Sequence, residues 1–141
     1  MTKNELLNTL FEKYNLVFDA SNPDSKDNDV YIHKHYKIIT RGGIQKIEKA
    51  AGIKITIQIV DSGANYCNVS GHGRLGDAEY NTLASANEQT CKNGYYVEMA
   101  EKRCRSRLVL TLAGLYETGL VFGQDEMEDG NFETKARYKG G

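Results

Sequence analysis

Between Ile53 and Val60 the chain reads Ile-Lys-Ile-Thr-Ile-Gln-Ile-Val, so isoleucine alternates with a polar residue through three repeats. Successive side chains on a strand point to opposite faces, and this alternation predicts a strand with one buried and one wet face. The surrounding chain has 141 residues, one domain's worth of sequence, with 40% apolar and 26% charged residues. That composition is ordinary for a globular protein and argues against wholesale disorder. Nothing in it approaches the roughly 18 consecutive apolar residues of a membrane span, and no apolar stretch follows the opening Met-Thr-Lys-Asn. No membrane partner and no secretory leader are expected.

The remaining segments are read around that strand. Thr2 followed by Glu5 forms a capping box, and Leu6, Leu7, Leu10, Phe11 and Tyr14 fall at helical spacing behind it. Residues 1–18 are thus expected as an N-terminal helix. Residues 19–29, with the only proline, are expected as an exposed and mobile polar connector. Val30 to Thr40 is predicted as one strand, Thr40 to Gly43 as a turn, and a short helix then runs through Ala51 to stop at Gly52. Asp61 to Ala64 is predicted as a turn, Asn65 to Ser70 as a returning strand, and part of Tyr80 to Ala86 as a third strand. The longest helix is expected from Tyr95 or Tyr96 to about Tyr116, with Ala100, Cys104, Leu108, Leu112 and Leu115 as its apolar stripe. The order is helix, strand, helix, three strands, long helix, which predicts an α+β domain with a mostly antiparallel sheet. The expected core spans 30–123, and 124–141 reads as an acidic then basic tail.

Cys67, Cys91 and Cys104 are an odd number without paired spacing, which suits reduced thiols in a cytoplasmic protein. Formal net charge is -1, but the sum hides blocks. Residues 31–60 carry six basic groups against Glu48 alone, and residues 92–107 carry five against Glu98 and Glu101. The flanking segments are acidic, and Asp125, Glu126, Glu128 and Asp129 stand together. A fold that joins the two basic blocks would concentrate positive potential.

Motifs for catalysis are weak. Gly71-His-Gly-Arg-Leu-Gly76 fits G-x-G-x-x-G, but a dinucleotide site needs a strand before it and a helix directly after it. The residues after Gly76 read as loop and strand, so these glycines are expected to shape a loop or bulge. His33 and His35 stand two apart on the predicted strand and would share a face, yet no further ligand pair has metal-site spacing. No serine or cysteine is flanked as an activated nucleophile. The expectation is a protein that is not an enzyme, with no metal and no cofactor.

The segment Met99 to Leu115 is different. Arg103 and Arg107 are four apart and share a helix face, with Lys102 and Arg105 on its flanks. Guanidinium forks at that spacing can hold successive phosphates, and Tyr95 and Tyr96 ahead of the helix can stack bases. The other reading is a solvated helix whose arginines pair with Glu98, Glu101 or the acidic tail. On charge pattern alone this second reading is the stronger.

Ala100-Glu-Lys-Arg103, Arg107 and Leu112-Ala-Gly-Leu115 resemble the signature helix of phage single-strand DNA annealing proteins, in the branch related to the Rad-fifty-two recombination mediator. The Tyr36 to Gly43 segment, the isoleucine-alternating strand and Ala84-Ser-Ala-Asn87 add to this resemblance, which covers roughly residues 31–123. It implies a β-β-β-α core and ATP-independent annealing of single-stranded DNA by a ring or filament of identical copies. Lys102, Arg103 and Arg107 would line a basic groove. Lys37, Arg41, Lys46 and Lys49 are a candidate second wall by charge alone. The acidic cluster would occupy the groove or recruit a host replication or repair protein. The alternative is a small oligomeric interaction module, a phage inhibitor or adaptor, that binds no nucleic acid.

Overall fold

The computed structural model describes residues 1–127. The fold is α+β, with an N-terminal helix, a late long helix and two three-stranded sheets. Helix α1 spans Lys3–Lys13, and a hairpin of β1 (Val30–His33) and β2 (Tyr36–Ile39) leads into α2 (Arg41–Ala51). An antiparallel meander comes next: β3 (Lys54–Gly63), β4 (Tyr66–Leu75) and β5 (Ala78–Asn87). Helix α3 runs over Tyr96–Leu112. After it, β6 (Val121–Gly123) pairs parallel with β2 and completes the order β1-β2-β6. From β3 to α3 the chain thus runs β-β-β-α. No helix among the described residues is long and apolar enough to cross a membrane.

Helix α3 is the centre of the molecule. Its underside, Met99, Ala100, Cys104 and Leu108, packs on Cys67, Val69, Ala84 and Ala86 of the meander. Its upper side, Val109 and Leu110, joins a second core with Leu7, Phe11, Val30, Ile39, Ile44 and Ile47. A helix covered on both sides is apolar around much of its circumference, instead of along a single stripe. The first 30 residues belong to this second core: α1 buries Leu7 and Phe11, and Tyr14 and Leu16 follow them inward. The predicted capping box is present, with Thr2 Oγ1 accepting from the Glu5 amide at 3.1 Å.

The glycines of the G-x-G-x-x-G segment sit differently from expectation. Gly71 and Gly73 lie within β4, on the face under α3, and neither is in a loop. A Cβ on Gly71 would stand 2.3 Å from Cys104 Sγ, and one on Gly73 would stand 2.8 Å from a Leu112 methyl. Their lack of side chains lets the helix press onto the sheet. Gly76 alone is in the turn, at φ +60.

Other boundaries are corrected in the same way. The single strand predicted over Val30 to Thr40 is a hairpin, turned at Lys34 and His35 with Lys34 at φ 58. His33 ends a strand and His35 is in the turn, so they do not share a strand face as predicted. Gly42 and Gly43 are in the first turn of α2, capped by Thr40, and not in a loop. Strand β3 runs past the predicted turn at Asp61 by means of a bulge at Val60. The connector is anchored at its end: Asn28 and Asp29 are buried, and Asp29 accepts from the Val17 amide and from Lys46.

Candidate nucleic-acid interface

The guanidinium groups expected to line a groove are used inside the protein. Arg103 is 2% exposed. Its Nε donates to the Asp125 carbonyl at 3.2 Å, Nη1 to the Ser85 carbonyl at 2.9 Å and to Thr90 Oγ1 at 3.1 Å, and Nη2 to the Thr90 carbonyl. Arg107 donates to both oxygens of the buried Glu126 and to the Leu83 carbonyl. Burial disfavours the Arg107 charge, but the hydrogen bond and charge of Glu126 outweigh it and hold the guanidinium above its usual range. Arg41 pairs with Asp125 at 2.6 Å. The expected groove along Arg103 and Arg107 is therefore corrected: α3 is enclosed, and these side chains fill the seam between the meander and the segment Gln124–Glu126.

That short 3-10 turn is fixed at every residue. Gln124 Oε1 accepts from the Arg41 amide at the start of α2, Asp125 takes Arg41 and Arg103, and Glu126 takes Arg107. The acidic cluster thus begins as an internal partner of the arginines. Its remainder, with the basic end of the predicted tail, lies outside the described residues, which stop at 127.

The other predicted residues are dispersed. Lys37 lies over the rings of Phe11 and Phe18, 5.7 and 6.0 Å from their centroids. Lys46 is paired with Asp29 at 2.6 Å. Tyr96 is half-buried against the lower core, whereas Tyr95 is 65% exposed at the start of α3. Lys102 is half-buried on α3.

Two predicted residues do meet. Lys49 near the end of α2 and Arg105 on α3 line one cleft of about 500 Å³, together with Gln45, Glu48, Gly52, Ile53 and Lys54. Glycine in the left-handed region ends α2 at Gly52 and turns the chain sharply into β3, which brings Lys54 to the same cleft as Lys49. Arg105 Nη1 donates to Glu48 at 2.8 Å, and Nη2 lies 3.5 Å from Glu101. Burial works against the Arg105 charge, yet Glu48 with Glu101 behind it raises the guanidinium above its ordinary value. Lys49, Lys54 and Arg105 thus line one cleft with Glu48, which is already paired with Arg105. Lys54 is hidden in the sequence as a wet-face strand residue, and only its distance from the Gly52 stop hints at Lys49. Among the described residues no group of three or more His, Cys, Asp or Glu is placed to hold a metal ion. Compared with family models, curated proteins and solved structures, the chain gives no match.

Proposed function

We propose that this protein binds single-stranded DNA and promotes its annealing without ATP, with the strand passing the cleft of Lys49, Lys54 and Arg105 instead of Arg103 and Arg107. The observation that carries the reading is one cleft lined by basic residues of α2, β3 and α3, beside a β-β-β-α core of the kind the sequence resemblance implies. A guanidinium offers a planar fork to phosphate, and ammonium groups add point charges around it. Tyr95 supplies an exposed aromatic ring for base stacking, about 15 Å along the helix from Arg105 at 1.5 Å per residue.

Fluorescence anisotropy with labelled oligonucleotides at low salt tests this. Lys49→Ala and Arg105→Ala are each expected to weaken single-strand binding several-fold and to reduce the salt slope by about 0.7 per lost phosphate contact. Annealing of complementary oligonucleotides should slow in parallel. Unchanged binding in both variants, or no binding by the native protein at tens of micromolar, overturns the reading. The second reading, an interaction module without nucleic-acid binding, draws on the exposed side chains of Ile32, Ile59, Val60 and Leu83. The absence of any gel shift with single- or double-stranded oligonucleotides would favour it.

A further inference from the structure

The two edges of the meander are treated differently. On the β5 edge, the carbonyls of Leu83 and Ser85 accept from Arg107 and Arg103. Residues four apart on a helix rise about 6 Å, and alternate residues on a strand are about 6.7 Å apart, so the two spacings match. These arginines occupy two outward carbonyls of this edge, which hinders strand addition there. Among the described residues, the β3 edge has no such cover.

The register determines which groups β3 presents. Leu83 and Ser85 turn their carbonyls away from β4, so their opposite residues Ser70 and Asn68 bond toward β3, where they face Gln58 and Asp61. By alternation, Ile55, Ile57 and Ile59 direct their amides and carbonyls outward. Ile59 is 55% exposed and the bulged Val60 is 62% exposed.

We infer that β3 pairs antiparallel with β3 of a second copy of this chain, about a two-fold axis at Ile57. In this register Ile57 meets its own counterpart and Ile55 meets Ile59, so every outward amide and carbonyl of the three isoleucines has a partner. Thr56 meets Gln58 on the wet face. With the Val60 bulge skipped, as it is against β4, Lys54 of each copy comes opposite Asp61 of the other. The strand is thus complementary to itself in charge, apolar side chains and backbone polarity, which selects a second copy over an unrelated partner. Asp61 also accepts the Tyr66 hydroxyl, and a carboxylate has lone pairs for both. A two-fold pairing uses the same edge of both copies, so the contact is closed at two.

Light scattering on the full chain without DNA tests the inference, independently of nucleic-acid binding. The native protein is expected at twice the 15.8 kDa chain mass. Lys54→Glu and Asp61→Lys should each raise the dimer dissociation constant at least tenfold, and the double exchange should restore it. Circular dichroism checks that each variant is folded, and rescue by the double exchange separates pairing from folding damage. A native monomer at 100 micromolar, a larger ring indifferent to the exchanges, or single exchanges without effect would each overturn it.

Discussion

Arg107 Nε donates to Glu126 Oε1 at 2.5 Å while its Nη2 donates to Oε2 at 3.2 Å, a two-point pairing between α3 and the last described turn. Glu126 is 5% exposed, so removing either partner takes a counter-charge away from a poorly solvated group. Glu126→Ala or Arg107→Ala is expected to destabilise the fold by about 3 kcal/mol, read as a shifted urea midpoint. Exchanging both for leucine should recover most of that loss. Arg103→Ala should be at least as damaging, because it leaves the Ser85, Thr90 and Asp125 carbonyls without this donor. Variants that stay fully stable would remove these residues from the structural seam.

Gly71→Ala places a methyl group against Cys104 Sγ and Leu108. Neither neighbour is the free end of a long side chain, so the helix must lift from the sheet. Overpacking of this kind costs about 1–3 kcal/mol, and thermal melts should show a lower midpoint. Gly76→Ala, by contrast, meets no neighbour and tests only the left-handed backbone at φ +60.

Ser106 lies under Gly123, and its hydroxyl is buried without a hydrogen-bond partner among the described residues. Ser106→Ala removes an unmet polar group and is expected to be neutral or to stabilise by about 1 kcal/mol. A loss above that size in chemical denaturation would mean that the hydroxyl has a partner.

Tyr116 packs edge-on to Phe122, and burial, reinforced by the Glu126 charge, pushes its phenol above the ordinary value near 10. The folded state therefore holds this proton more tightly than the unfolded chain. Its contribution is complete below about pH 10, the unfolded value, and is lost as pH rises from there toward the folded pKa. Stability should fall with rising pH in that alkaline window, and Tyr116→Phe should flatten the fall. An identical pH profile in the variant would contradict the assignment.

The fold is legible in the sequence where periodicity has one cause. Alternation at Ile53 to Val60 marks β3, and Thr2 with Glu5 marks the start of α1. It is obscured where two causes overlap. The β1–β2 turn uses Lys34 and His35, which carry no glycine or asparagine signal, so two short strands read as one. Gly71 and Gly73 read as loop because their reason, the approach of α3, lies more than 30 positions away. The candidate site suffers most. Arg103, Arg105 and Arg107 look alike in sequence, yet alternate residues of α3 lie about half a turn apart and face different sides: two to the β5 edge and Glu126, and one to Glu48. Only a view of both layers around α3 separates the enclosed pair from the residue that reaches a cleft.

The row of guanidinium groups along β5 has one more effect. Where the Leu83 and Ser85 carbonyls are already taken, an incoming strand finds no free acceptor, and growth of the sheet along this stretch of β5 is hindered. The arginines that look in sequence like an invitation to nucleic acid thus shield part of an edge strand instead.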